Sequence, residues 1–451
     1  MIVKSKMNKI FAADLFCGAG GSSTGLVKAI KERRLTLDLL AVNHWNVAVA
    51  THTLNHPWAR HLCADLSSVD PSKAIPGGKL DILIASPECT HHSNARGGKP
   101  RSDQSRASAW HVLHWAERLQ IKRILIENVM EFENWGPLKN SGIPDAKRKG
   151  ETFSSFVSAL RSLGYSVDWR VLNAADYGDA TSRKRLFIQA SRNGRIEWPV
   201  PSHSGKWKPA KSIIDWDLHG TSISNRKRPL APKTLDRIEA GLKKFGGEPF
   251  IAVLRGTDKR QSNSWAKSIN DPLGTISCSG AHAALCEPFL ISYHAGKGRK
   301  ARVHAVDDPV PTVTTENRYA LCSPFIITME HSGRQPVRST DLPLPTITTA
   351  KGGSFGLCRP FLTKYYGTAK ARSVDIPIDT ITGKDRFALV EPYGMDIYFR
   401  MLQPHELAAA MGFDNYKFFG TKTDQVKQIG NAVSVRTSQA ICSSILSSIT
   451  H

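Results

Sequence analysis

Cys89 follows the apolar run Leu80-Asp81-Ile82-Leu83-Ile84-Ala85 after only Ser86-Pro87-Glu88. Such a run reads as a buried parallel strand, so the thiol is expected just beyond a strand's carboxyl end, where α/β enzymes assemble their sites. The stretch that follows, Thr90 to Ser108, is polar and glycine-bearing, the composition of a mobile loop and not of packing. Two more segments accompany the thiol. Asp14-Leu15-Phe16-Cys17-Gly18-Ala19-Gly20-Gly21 reads as a glycine turn between a strand and a helix starting near Ser22, and Ile126-Glu127-Asn128-Val129 puts an acid at the end of another apolar run. The turn lets a ligand approach the backbone and offers it the free N–H groups of a helix start. Alone, that turn suits any nucleotide-like cofactor; with a thiol and a carboxyl group it equips a site for nucleophilic catalysis.

These side chains need a scaffold, and residues 10 to 200 alternate short apolar runs with helical patterns, as a parallel sheet with helices on both faces requires. Strands are expected at Ile10-Ala13, Leu37-Val42, Asp81-Ile84, Arg123-Ile126, Tyr165-Leu172 and Arg185-Gln189, and crossover helices at Arg106 to Leu119 and Thr152 to Leu163. After Trp198-Pro199 the alternation stops. Lys206 to Gly247 reads as a connector rich in proline and lysine, with one helix near Thr234-Lys244.

From Pro249 the chain repeats itself. Pro249-Phe250, Pro288-Phe289, Pro324-Phe325 and Pro360-Phe361 open four units, and Pro392-Tyr393 marks the exit. Each unit runs through an apolar strand, a basic loop and a proline-bearing turn such as Asp271-Pro272 or Asp308-Pro309 into a second strand. A period of about 36 residues is too short to bury a core alone, so the units must lean on one another. Cys286, Cys322 and Cys358 share one slot of the repeat, and Val390 takes it later, which indicates a small buried apolar position and not a metal ligand. The basic loops, with Arg299, Arg302, Arg338 and Arg372 among them, would line one face that a phosphate backbone could follow; a solvated face is the alternative.

Composition narrows the class. The 451 residues, 41% hydrophobic and 22% charged, describe an ordinary globular protein of two domains or one with a large insertion. A net charge of +22, from 61 basic and 39 acidic residues, points to a polyanionic partner, with a merely soluble basic surface as the alternative. No apolar stretch reaches about 18 residues, so no membrane span is expected. Met1 to Lys9 lacks the apolar segment of a secretion signal. Eight scattered cysteines without a C-x-x-C pair fit reduced thiols in a cytoplasmic protein and no structural metal.

Taken together, the motifs resemble those of the DNA (cytosine-5)-methyltransferase family of bacterial and bacteriophage type. Asp14-Leu15-Phe16-x-Gly18-x-Gly20-Gly21 is similar to the family's cofactor turn, Pro87-Glu88-Cys89 to its Pro-Cys nucleophile, and Glu127-Asn128-Val129 to its acid motif. Arg183-Lys184-Arg185 is similar to its Arg-x-Arg strand start. Leu402-Gln403-Pro404-His405-Glu406-Leu407 and Gln428-Ile429-Gly430-Asn431-Ala432-Val433 are similar to its C-terminal motifs. The resemblance covers roughly 10–200 and 395–450, in family order.

It implies a Rossmann-like class I methyltransferase fold: a doubly wound α/β sheet with a smaller, mainly β second domain. Residues 1–200 plus 395–451 would form the catalytic domain, completed by a helix at Thr437 to Ser448, and 201–394 the target-recognition domain with its repeats. Cys89 would attack C6 of a cytosine, Glu127 would hold and protonate N3, and Arg185 with Arg183 would bind O2. The activated C5 would take a methyl group from S-adenosyl-L-methionine, leaving S-adenosyl-L-homocysteine, with no metal. The base must leave the duplex for this, and the loop carrying Arg96, Lys99, Arg101 and Arg106 is suited to close over DNA. The cofactor contacts implied are Phe16, Gly18, Gly20, Gly21, His44, Trp45, Asp65, Leu66, Pro87 and Asn431. His91 and His92 could form a metal site with Cys89 only if a fourth ligand existed, and none is suitably spaced.

Three positions depart from the family pattern. His44 replaces the usual acid before the adenine-stacking aromatic, Glu88 replaces the Pro before the nucleophile, and Thr181 replaces a Gln before the Arg-x-Arg pair. The implied partner is double-stranded DNA in the cytoplasm of a bacterial or phage-infected cell, with no membrane; a monomer and a cognate restriction endonuclease are compatible with this. An RNA cytosine methyltransferase, and a DNA-binding repeat protein with a vestigial catalytic half, stay open beside it.

Overall fold

A computed structural model describes residues 9–88, 107–218 and 396–449, with shorter stretches between 220 and 390. Cys89, Arg96, Lys99, Arg101, Arg106, Arg299 and Arg302 lie outside the described residues, as does most of the helix expected near Thr234-Lys244. Two compact units emerge: Met1–Asp215 with Ile269–His282 and Leu402–His451, and Trp216–Ser268 with Ala283–Met401.

The first unit opens with β1 (Lys9–Leu15), α1 (Gly21–Glu32), β2 (Thr36–Asn43), α2 (Asn46–Asn55), β3 (Arg60–Cys63), α3 (Pro71–Ala74) and β4 (Lys79–Ala85). It continues through α4 (Trp110–Arg118), β5 (Gln120–Asn128), α5 (Glu151–Ser162), β6 (Ser166–Asn173), the two-residue β7 (Thr181–Ser182) and β8 (Lys184–Ser191). Near the end come α6 (Pro404–Ala410), α7 (Lys422–Asn431) and α8 (Val435–Ser447). The six expected strands and the helices of residues 152–163 and 437–448 all form, within one or two residues except where a strand extends further. The crossover helix expected from Arg106 starts at Trp110, after a 3-10 turn at Ala107–Ala109.

Seven strands form one sheet in the order β3-β2-β1-β4-β5-β8-β6. The first five are parallel, whereas β8 lies antiparallel between β5 and β6. The cause is the connection: β6 reaches β8 through residues 174–183, too few for a crossover, so the chain must turn back on itself. Successive residues of each strand face opposite sides. Ala13, Leu15, Leu83, Ala85, Ile124 and Ile126 join a core with Val112, Trp115, Phe156 and Leu160 of α4 and α5. Ile10, Ala12, Ile82, Ile84, Leu125 and Phe187 join another with Leu26 and Ala29 of α1 and Ile441 and Ile445 of α8. Two apolar layers thus cover the two faces of the sheet, the arrangement of a doubly wound α/β unit.

Local chemistry starts the C-terminal helices. Gln403 with Glu406, and Thr421 with Asp424, form capping boxes, and Pro404 occupies the first turn of α6. The buried Glu406 also accepts from the Asp215 N–H at 2.8 Å. Residues Leu273–Gly274 pair in parallel with β7.

The second unit carries the repeats. Phe250, Phe325 and Phe361 each begin a strand that runs between two antiparallel neighbours. Phe289, inside Ala283–Ile291, likewise meets a partner at Ala305. Cys286 lies opposite Phe250 and is fully buried, and Val390 lies opposite Phe361 in the equivalent register. The Cys/Val interchange is therefore an apolar slot against the repeat's phenylalanine. Arg338 and Arg372 each begin a two-residue strand paired to the phenylalanine strand.

Candidate active site at the carboxyl edge of the sheet

Five parallel strands end side by side, and the sequence motifs follow directly from those ends. Cys63 pairs with Asn43, Val42 with Leu15, Leu15 with Ala85, and Ala85 with Ile126. Asp65, Trp45, Phe16, Pro87 and Glu127 are thus brought to one edge from five neighbouring strands. Because β8 runs the other way, its start lies at the same edge, with Glu127 opposite Phe187. Arg185, two residues before Phe187, projects to the same face as Glu127.

Glu127 and Arg185 meet there, with Arg185 Nε 3.4 Å from Glu127 Oε1. Both line a small pocket with Ala174, Arg183, Phe187, Val433, Ser434 and Thr437. Burial raises the Glu127 carboxyl above its ordinary range, opposed by the positive charges of Arg185 and Arg183. A carboxyl group held this way can carry a proton nearer neutral pH than a solvated glutamate can. Arg183, also buried, donates from Nη1 to the Ile276 and Gly430 carbonyl oxygens at 3.1 and 3.2 Å. It thereby clamps residues 269–282 and the end of α7 against the start of β8. Thr181, one of the departures from the family pattern, is buried and donates to the Gly274 carbonyl.

Sequence reasoning gave Asn128 no task, yet its side chain donates to the Pro87 carbonyl oxygen at 3.3 Å and accepts from the Val129 N–H at 2.9 Å. Pro87 is buried, Glu88 is exposed, and Cys89 comes next in the chain. The motif Glu127-Asn128 itself carried the signal, because a buried amide beside an acid must find partners.

At the glycine turn, Phe16, Gly18 and Gly20 all have positive φ, of 59°, 53° and 94°. A Cβ at Gly20 would meet the Tyr416 hydroxyl at 2.7 Å, and one at Gly21 would meet the Val433 carbonyl oxygen at 2.1 Å. At Gly18 the nearest atom would be 3.9 Å away. The turn is packed from behind and open at Gly18, a cradle that fits a ligand approaching the start of α1, where no side chain caps the N–H groups. The same packing brings Val433, two residues after Asn431, against the turn. Cys17, buried beneath it, is no rival nucleophile: burial first, and Asp14 second, hold its thiol well above the usual range.

The other cofactor residues expected from sequence flank this cradle. Trp45 is the N-cap residue of α2 and donates from its N–H to Asn43 Oδ1 at 2.9 Å. His44 and Asn431 are exposed, and Leu66 is buried. Asp65 caps a 3-10 turn through Ser67, whose hydrogen bonds lower its carboxyl below the ordinary range.

Behind the turn lies a network that sequence reasoning missed. Ser23 donates to Asp14 Oδ2 at 2.6 Å, His52 Nε2 lies 2.9 Å from Ser23 Oγ, and His61 Nε2 lies 2.8 Å from His52 Nδ1. Burial pushes Asp14 up to about 7 and lowers His52, His61 and the neighbouring His56, the last to about 4. The spacing His52, His56, His61 was visible, but nothing in the sequence placed these rings beside Asp14. Among the described residues no group of three potential ligands could hold a metal ion, and no helix is long and apolar enough to cross a membrane.

The profile of the C-5 cytosine-specific DNA methylase family matches residues 10–447. The chain belongs to that family. It is 33% identical over 197 residues to the type II methyltransferase M.AgeI of Thalassovita gelatinovora, covering 42% of each chain. It is 29% identical over 191 residues to the type II methyltransferase M.Sau3AI of Staphylococcus aureus, covering 40% of this chain and 43% of the other. These matches span less than half the length of those relatives. Among solved structures, the methyltransferase EhMeth of Entamoeba histolytica superposes with a TM-score of 0.53 at 13% identity, covering 98% of this chain and 100% of that one. At that identity the likeness shows the fold, a Rossmann-like methyltransferase sheet.

Proposed function

We propose that this protein methylates cytosine at C5 in double-stranded DNA through a covalent bond between Cys89 and C6, with the target base swung out of the helix. The observation that carries the reading is the pairing of the buried Glu127 with Arg185, the glutamate standing on the strand tied through Asn128 to Pro87 and so to the segment leading to Cys89. Cytosine C5 is a poor nucleophile until a group adds to C6. Cys89 adds as thiolate, and Glu127 protonates N3 so that negative charge does not build on the ring. Arg185 binds O2 and meets the developing charge, while Arg183 holds the pocket wall in place. Loss of the C5 proton and expulsion of the Cys89 sulfur complete the turnover.

S-adenosyl-L-methionine, when bound, supplies an electrophilic methyl group. Phe16, Gly18, Gly20 and Gly21 would cradle it, with His44, Trp45, Asp65, Leu66, Pro87 and Asn431 around them. Arg96, Lys99, Arg101 and Arg106 from the segment after Cys89, and Arg299, Arg302, Arg338 and Arg372 from the repeats, would contact phosphate, consistent with the net charge of +22. Residues 201–394 would choose the target. The type II relatives favour a modification role beside a restriction endonuclease.

The test is bisulfite sequencing of DNA from cells expressing the protein. Protected cytosines in one recurring sequence context, absent with Cys89→Ala, are expected. Equal protection with the variant contradicts the assigned nucleophile.

A further inference from the structure

Lys427 belongs to no motif that carries the resemblance, yet its Nζ lies over the Trp45 ring, 4.4 Å from the centroid. Lys427 lies on α7, one helical turn before Asn431. Residues four apart share a helix face, so the face that presents Asn431 also presents Lys427. Trp45 stands at the other side of that contact, just past the end of β2 at the shared edge of the sheet. An exposed lysine could keep its ammonium in water; here it covers one face of an indole.

We infer that Lys427 is a positioning residue of the nucleoside site, bracing one face of Trp45 so that an adenine ring stacks on the other. This deepens the proposed cofactor site and rests on that reading. A cation over a ring face holds the indole plane by charge–quadrupole attraction. An indole already fixed loses less freedom when a second planar group stacks on it. The contact also couples α7, and with it Asn431, to the position of the ring.

Binding of S-adenosylhomocysteine and of adenosine, each measured by calorimetry on the full chain, tests the inference without reference to turnover. Lys427→Met keeps the stem and removes the charge, and Lys427→Arg keeps the charge. The expected result is a dissociation constant about three- to fivefold higher for both ligands in Lys427→Met, on the scale of one exposed cation–π contact, with recovery in Lys427→Arg. Unchanged or tighter binding in Lys427→Met overturns the inference. So does weakening confined to S-adenosylhomocysteine, since the ammonium would then act on the amino-acid end. Trp45→Ala separates the two levels. If it binds both ligands as tightly as the unaltered protein, the assignment of Trp45 itself fails. If it binds them weakly while Lys427→Met does not, only the role of Lys427 fails.

Discussion

The side-chain amide of Asn128 donates to the carbonyl oxygen of Pro87 at 3.3 Å, joining the strand that carries the candidate acid to the segment that leads into the candidate nucleophile. Strands β4 and β5 are already neighbours, but backbone pairing stops at their ends. This hydrogen bond carries the alignment of β4 and β5 past the edge of the sheet, where the chemistry is proposed to occur.

Removing it should misplace the thiol without removing it. Asn128→Ala is expected to lower the methylation rate by about ten- to a hundredfold, the scale of a displacement of roughly 1 Å in a reacting group. Losing a buried hydrogen bond should also cost about 1–3 kcal/mol of stability. Single-turnover kinetics with saturating DNA, beside urea unfolding, separates the two effects; an unchanged rate would remove Asn128 from the site.

Glu127→Gln keeps the shape and loses the transferable proton. Methylation should fall by about 10²–10⁴-fold, the range for a positioned general acid, while affinity for S-adenosylhomocysteine stays within about twofold. Burial raises the Glu127 carboxyl, so its stabilising contribution is present at low pH and is lost as pH rises through the folded-state value. The amide variant should lack that loss, as melting temperatures across the acid range would show.

Asp14 offers a cleaner pH signature because its folded-state value, about 7, lies well above the ordinary 3.8. The sign follows from linkage: stability is fully present below about pH 4 and declines as pH rises toward 7, by at most about 4 kcal/mol. Asp14→Asn should flatten this decline. Urea unfolding at pH 5 and pH 8 checks it; a wild-type protein more stable at pH 8, with the variant unchanged, would contradict the assignment.

Much of this arrangement was legible in the sequence. Apolar runs followed directly by glycine, proline or acid placed Gly18, Pro87 and Glu127 at strand ends, and the repeat exposed the Cys286 slot. What stayed hidden depends on pairing in space. The insertion of β8 between β5 and β6 follows from a short connection whose consequence no local pattern states. Likewise, the pairing of Leu273–Gly274 with Thr181–Ser182 joins residues some ninety apart. Nothing local in the sequence marks the Asn128–Pro87 bond, the Lys427–Trp45 contact or the His52–His61 pair, because each joins residues from two different elements.

Glycine substitutions should separate packing from ligand approach. Gly21→Ala would drive a Cβ to 2.1 Å from the Val433 carbonyl oxygen, a backbone atom that cannot step aside, and should lower stability by about 1–3 kcal/mol or more. Gly18→Ala meets no such atom and costs about 1–2 kcal/mol for its positive φ. Its larger effect should fall on S-adenosylhomocysteine affinity. Calorimetric binding and thermal unfolding of both variants give the comparison; equal ligand affinity in Gly18→Ala and the unaltered protein would move the cofactor elsewhere.

The most direct test of the proposed chemistry uses duplex DNA with 5-fluorocytosine in the recognised site, incubated with the protein and S-adenosylmethionine. Fluorine at C5 blocks the final elimination, so an attached sulfur stays attached. A protein–DNA adduct that survives denaturation, absent with Cys89→Ala and slowed with Glu127→Gln, is the predicted result. An adduct that forms equally well with Cys89→Ala, or methylation of ordinary DNA by that variant, would contradict the account.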